Sequence, residues 1–211
     1  MSQVAIIGGL VLMVVCFSSS SSVAMLMMGG EDDSTPSDPS SSSTPPTPPP
    51  TPPPPPSIFP KGRYVELVHT VAYDANATGN VDDKNKIINL AELEVFDASG
   101  TNLAASKTVT GSSEYPAPHV WSNLTDGNKT NFAHTFGRTP SEYDSMTVDL
   151  GAEKEIKKLV ITNRTSCCKN RAIGVKAVIL GYNGTTVVKE TPAITTTADT
   201  YTLTFPGNTW S

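Results

Sequence analysis

The sequence predicts an all-β domain, an antiparallel β-sandwich or jelly roll, over residues 61–211. Three observations predict it. Short runs alternate apolar and polar residues with a period of two, so that every second side chain shares one face of a strand. Turn-forming pairs punctuate the runs at Ser99-Gly100, Asp126-Gly127, Asn183-Gly184 and Pro206-Gly207. No sustained helical period and no longer internal repeat competes with this pattern.

The strands follow in order. RYVELVH places Val65 and Leu67 on one face. INLAELEVFD sets Leu93 and Val95 against Glu92 and Glu94. SMTVDLG groups Met146, Val148 and Leu150. IKKLVITN and IGVKAVILG are apolar enough for central strands. GTTVVKE and TYTLTFPG close the series, the last aligning Tyr201, Leu203 and Phe205. About eight strands at this spacing suit two packed antiparallel sheets.

Two segments precede the domain. Residues 1–30 contain a 25-residue uncharged stretch, residues 4–28. As a hydrophobic helix it would be roughly 37 Å long, enough to cross a bilayer. The alternative is a cleaved signal peptide with Ser22-Val23-Ala24 as the small-residue site, but no Lys or Arg precedes it and apolar residues resume after it. An uncleaved membrane anchor is the expectation, and secretion follows if the segment is cleaved. Residues 31–60 are a Ser- and Pro-rich linker, too poor in apolar side chains to fold. Its second half, PPTPPPTPPPPP, suits a semi-rigid polyproline II stalk.

Charge excludes one class of partner. All 15 Lys and Arg, and 16 of the 20 acids, lie at or after Lys61, leaving that region at −1. No basic footprint for nucleic acid is present. Catalytic patterns are also missing. The chain has three histidines, His69, His119 and His134, and no nucleophile elbow, phosphate loop, HExxH or CxxC. The expectation is a protein that is not an enzyme.

The segment NRTSCCKNR, residues 163–171, carries the chemistry. Cys167 and Cys168 adjoin each other among Arg164, Lys169 and Arg171, and the third cysteine, Cys16, lies in the apolar N-terminal segment. The pair has three fates: free thiols, a bridge to another chain, or a bond between neighbours. A stalked domain outside the reducing cytosol favours the last over two reduced cysteines. Such a vicinal disulfide is a stiff apolar knob. Ringed by Arg164, Arg171 and a histidine, it is suited to a sugar: guanidinium forks donate to hydroxyls while the knob packs on C–H groups. Arginines at a strand end are otherwise solvated or paired with acids.

The motifs HT at 134–135, TVDLG at 147–151 and NRTSCCKNR at 163–171 resemble, in that order, the F-type (fucose-binding) lectins. These belong to the discoidin or coagulation factor 5/8 C-type, galactose-binding-like group of jelly rolls, and the resemblance covers most of residues 63–205. It implies a discoidin-like sandwich in which His134, Arg164 and Arg171 bind fucose hydroxyls over a Cys167–Cys168 disulfide. The family's motif has Asp where this chain has Ser166. The interval between His134 and Arg164, 29 residues, is slightly long for the family.

The resemblance also implies calcium, Ca²⁺. NLTDGNKTN at 123–131 is similar to the family's calcium loop. Asp126 would give a carboxylate oxygen, Asn123 and Asn128 backbone oxygens, and Asn131 stands where the family has a ligating Ser. The last ligand in the family, a Glu of the final strand, is matched by Glu92, after Ala91, near the beginning of this domain. The strand order therefore resembles a circularly shifted lectin. The family's extra disulfide would fall at Ala91 and Phe132, and both cysteines are absent. Without the resemblance, Asp126-Gly127 reads as an ordinary turn.

Sequons stand at Asn76, Asn123, Asn128, Asn163 and Asn183. The resulting expectation is a calcium-dependent, fucose-type glycan-binding module, tethered to a cell-surface or virion membrane for adhesion or attachment. A structural surface or virion protein using the same jelly roll is the alternative. Partners are glycans and the membrane, and self-association is left open by the sequence.

Overall fold

The structure is a computed structural model that describes residues 51–53, 55–71, 86–136 and 143–211. The expected anchor at residues 1–30 and most of the linker lie outside the described residues. Among the described residues no helix is long and apolar enough to cross a membrane. A compact unit covers residues 52–211.

Among the described residues the domain has nine strands: β1 (Lys61–His69), β2 (Asn89–Phe96), β3 (Val109–Gly111), β4 (Ala133–His134), β5 (Ser145–Glu155), β6 (Lys158–Asn163), β7 (Val175–Leu180), β8 (Val187–Glu190) and β9 (Thr200–Thr204). Two 3₁₀ turns, Trp121–Leu124 and Lys169–Ala172, interrupt the connections. One sheet has the order β3-β5-β1-β7-β8 and the other β4-β2-β6-β9. Every pairing is antiparallel. The all-β sandwich expected from the sequence is the fold observed.

The alternating runs explain the core. Val65, Leu67, Met146, Val148, Ala177 and Ile179 face inward from the first sheet, and Leu93, Val95, Leu159, Ile161, Tyr201 and Leu203 from the second. Fully burying such an aliphatic side chain stabilises the fold by roughly 1.5–3 kcal/mol. Phe59 packs against the same core, and the Pro60 carbonyl accepts the Ile156 amide.

Strand β2 departs from strict alternation. Its register against β6 shifts between Leu90 and Glu92, leaving Ala91 as the extra residue of a bulge. A bulge re-aims the side chains on either side of it. Here Leu90 and Leu93 both reach the core, while Glu92 turns toward the loop at residue 126. Two residues before the bulge, at the start of β2, Asn89 pairs with His134 of β4. This one strand thus carries both Asn89, beside His134, and Glu92, beside the turn at residue 126.

Candidate functional site

One end of the four-stranded sheet gathers His134, Arg164 and Arg171 around Asn89. Strand β6 ends at Asn163, whose amide nitrogen donates to the carbonyls of Lys169 and Ala198, both at 2.9 Å, and whose amide oxygen accepts the Arg164 N–H at 2.9 Å. This buried side chain staples the 164–169 loop back onto the sheet. Cys168 then takes the left-handed conformation (φ 63°) and starts the 3₁₀ turn that delivers Arg171.

Arg164 is buried and held on three sides. Its Nε and Nη2 donate to Ser166 Oγ at 3.2 and 2.8 Å, and its guanidinium lies 3.9 Å above the Phe132 ring. With its amide turned so that oxygen faces the guanidiniums, Asn89 accepts from Arg164 Nη1 and Arg171 Nη1, both at 3.0 Å. Ser166, where the related motif has Asp, therefore braces Arg164 through a single hydroxyl.

His134 completes the group. Its Nδ1 bonds the Thr135 carbonyl, and its Nε2 lies 3.5 Å from Arg171 Nη1. Burial, followed by the fields of Arg171 and Arg164, pushes its pKa down to about 4. The neutral ring donates from Nδ1 and presents the Nε2 lone pair to the site. Tyr115 stands beside it, with ring centroids 4.6 Å apart, and Phe132 stacks on His119 at 4.0 Å. The site thus offers cationic donors, one neutral acceptor and aromatic walls, a set that matches a hydroxylated neutral ligand.

Cys167 and Cys168 stand as adjacent thiols in the structure, and the vicinal disulfide stays an expectation from the sequence. A bond between neighbours closes so short a loop that chain entropy adds almost nothing to favour it. The two thiols are hydrogen-bonded to each other, which lowers the pKa of Cys167 and raises that of Cys168. The polarizable pair still lies at the tip of the loop, with Cys167 exposed.

The second expected site lies at the bulge of β2. Glu92 is buried, and both its oxygens accept the Gly127 N–H at 3.2 Å. Gly127 has φ +81°, so glycine suits that turn. Asp126 Oδ1 accepts the Asn128 N–H at 2.8 Å, and its Oδ2 accepts from Asn131 Nδ2 at 2.7 Å. Asn131 Oδ1 is buried with no partner. Desolvation, then the neighbouring charges of Asp126 and Glu94, push Glu92 up to about 7.

These observations fit a hard cation. An orphaned amide oxygen, a buried carboxylate and a second carboxylate converge on one turn, and oxygen-only donors suit Ca²⁺. Among the described residues no group of three His, Cys, Asp or Glu could hold a metal, so neutral oxygens would have to supply the rest of the shell. Ala91 is the bulged residue beside Glu92. Asn123 also braces the loop, since its Nδ2 donates to the carbonyls of Pro118 and Phe132 at 2.7 and 3.0 Å.

Residues 123–210 match the family model described as the NedA-like, galactose-binding domain of F5/8 type C. The match begins at the turn containing Asp126 and runs through His134, Arg164 and Arg171 to the last strand. It supports placement in the F5/8 type C, discoidin-like superfamily and agrees with the observed sandwich. No curated protein matches the chain significantly. Asn89 and Glu92 lie before the matched residues, so their place in the two sites rests on the geometry of β2.

Sequence reasoning misses Asn89, Phe132, Tyr115 and the structural role of Asn163. Asn163 carries a readable signal, an amide ending an apolar strand directly before the arginine loop. Tyr115 reaches the site through its backbone bond to His134 and Phe132 through its stacking under Arg164, and no local pattern marks either role.

Proposed function

We propose that this domain is a calcium-assisted carbohydrate-binding module whose ligand is a terminal deoxy sugar of the L-fucose type. The observation that carries the reading is the convergence of Arg164, Arg171 and neutral His134 on Asn89. Arg171 would donate to ring hydroxyls, and His134 Nε2 would accept one. The apolar cysteine tip and Tyr115 would pack on C–H groups and on the methyl, which needs no hydrogen-bond partner when buried. The galactose-binding description of the matching family supports carbohydrate binding in general, and the resemblance at the cysteine segment supports fucose.

The turn at Asp126 would hold calcium through Glu92, Asp126 and Asn131, with backbone oxygens of Ala91, Asn123 and Asn128. The ion supplies positive charge to a buried carboxylate and cross-links β2 to the loop that leads into β4. Asp126 and Asn131 would orient that loop, and with it His134. The apolar segment and proline stalk ahead of the domain would present the site away from a cell-surface or virion membrane.

One observation favours a structural reading instead. Arg164 is 9% exposed and its guanidinium is already committed to Ser166 and Asn89. A glycan array probed with the protein in calcium and again in chelator separates the two. Binding to terminal fucose that weakens in chelator supports the module. An array without any glycan bound under either condition assigns the jelly roll a structural role.

A further inference from the structure

A second concavity lies away from the loop site, on the outer face of the five-stranded sheet. It encloses about 560 Å³, within the range of roughly 300–1,000 Å³ in which small organic ligands are held. Its floor is apolar, formed by Val68, Val178, Leu180 and Val187. Strand pairing sets Glu66 directly across from Val178, and Leu180 across from both Tyr64 and Val187. A smaller hollow of about 320 Å³ continues across the sheet, and Glu66, Leu180 and Gly184 line both. Glu66 therefore stands where the two hollows meet.

Charge selects what could fill the groove. Three carboxylates line it, Glu66, Glu190 and Asp149. Lys176 Nζ is taken by Glu190 at 2.9 Å. Arg63 grips Asp149 with two bonds of 2.8 Å. Glu66, half-buried in the middle of the floor, has neither a hydrogen bond nor an ion pair among the described residues. His69 also lines the groove, but it is buried and its Nδ1 accepts the Val71 N–H, so it supplies no positive charge. One carboxylate stays uncompensated above an apolar surface. A metal ion would need more oxygen donors than Glu66 alone, and an anion would meet the wrong charge. An organic cation with an apolar body satisfies both features.

We propose that this groove is a second binding site, for a small primary alkylamine whose ammonium meets Glu66 and whose unbranched stem lies on Val68, Val178, Leu180 and Val187. The site is independent of the sugar reading, since it shares no residue with the loop site. An ammonium group donates three hydrogen bonds. One can be taken by Glu66, leaving others for water at the open side of the groove. The stem removes water from the valine and leucine side chains.

The test is ligand-observed saturation-transfer NMR on the full-length protein with pentylammonium, and with pentanol as the neutral counterpart. Saturable binding of the amine at millimolar concentration is expected, with pentanol at least several-fold weaker. Glu66→Gln should weaken the amine about tenfold. Val187→Lys, which places a competing cation at the exposed part of the apolar floor, should weaken it as well, and both variants should melt with the wild type. Equal binding of pentanol, unchanged binding in Glu66→Gln, or no saturation would overturn the proposal. Clearly tighter binding of Nα-acetyl-lysine methylamide than of pentylammonium would overturn the small-ligand assignment in favour of a lysine side chain on a protein partner.

Discussion

Replacing Glu92 by Gln should stabilise the calcium-free protein above neutral pH, although it removes a buried side chain's charge from a hydrogen-bonded position. Glu92 is 1% exposed, and its carboxyl is pushed from 4.5 to about 7 by burial and by Asp126 and Glu94. The folded state thus holds this proton more tightly than the unfolded chain does. Stability attributed to Glu92 is highest below the unfolded value and falls as pH rises through the folded value. Across that window the loss amounts to roughly 3 kcal/mol. Two histidines act oppositely over an overlapping range. His69 and His134 are both depressed from 6.5 to about 4. Each favours unfolding as pH falls from 6.5 toward 4, because the unfolded chain takes up the proton first. The raw pH profile of the wild type therefore mixes the two effects. The difference between Glu92→Gln and wild type isolates the carboxyl, since both proteins carry the same histidines. Denaturant unfolding in chelator should give a difference near zero at pH 4.5 that grows to about 2–3 kcal/mol in favour of the variant at pH 8. Calcium reverses the order at pH 8: the wild type gains stability by mass action, about 2.7 kcal/mol at a hundredfold excess over Kd, and the variant gains little. A difference that stays constant from pH 4.5 to 8 would refute the burial argument. Equal calcium responses would refute the ligand assignment.

Three further outcomes follow from the loop site. Asn163→Ala leaves the carbonyls of Lys169 and Ala198 without a donor inside the fold, so thermal or chemical denaturation should show a loss of roughly 2–4 kcal/mol, and fucose affinity should fall with it. Ser166→Asp puts two oxygens where one hydroxyl now takes both Arg164 bonds, and titration calorimetry should show fucose affinity unchanged or tighter, never weaker. Because His134 titrates at about 4, its Nε2 lone pair persists through neutral and mildly acid pH. At calcium concentrations that keep the Glu92 site saturated, fucose affinity should stay level from pH 8 to about 5.5 and drop as pH approaches 4, a profile readable by fluorescence or calorimetry.

The strands are legible in the sequence because their signal is local. Val65 and Leu67, Met146 and Val148, and Leu203 with Phe205 each share a face through simple alternation, and burial follows. The arginine loop is legible because Arg164, the cysteines and Arg171 are neighbours in sequence. Glu92 is a different case: its approach to the Asp126 turn spans 35 residues, and only the likeness of INLAELEVFD to a distant family segment points to it. The bulge at Ala91 that aims it has no signature in composition. Asn89 and Phe132 escape a sequence reading because strand pairing and a cation–π contact, not sequence spacing, bring them to the arginines. The expectation of a disulfide rests on compartment and on the family resemblance, neither of which is a property of the loop's local geometry. The groove around Glu66 is invisible in the sequence for a related reason. It depends on which cations are already paired, and pairing is a property of the folded sheet.

The most direct test of the account is calorimetric titration of L-fucose into the protein, in calcium, for wild type, Arg164→Ala and Arg171→Ala. Measurable binding by the wild type is expected, with a loss of roughly 1.5–3 kcal/mol, about 10- to 150-fold in affinity, in each variant, because sugar hydroxyls or their braces are left unpaired. Wild-type binding that survives unchanged in both variants would place any sugar site elsewhere on the sandwich. No binding by the wild type would contradict the proposed function itself.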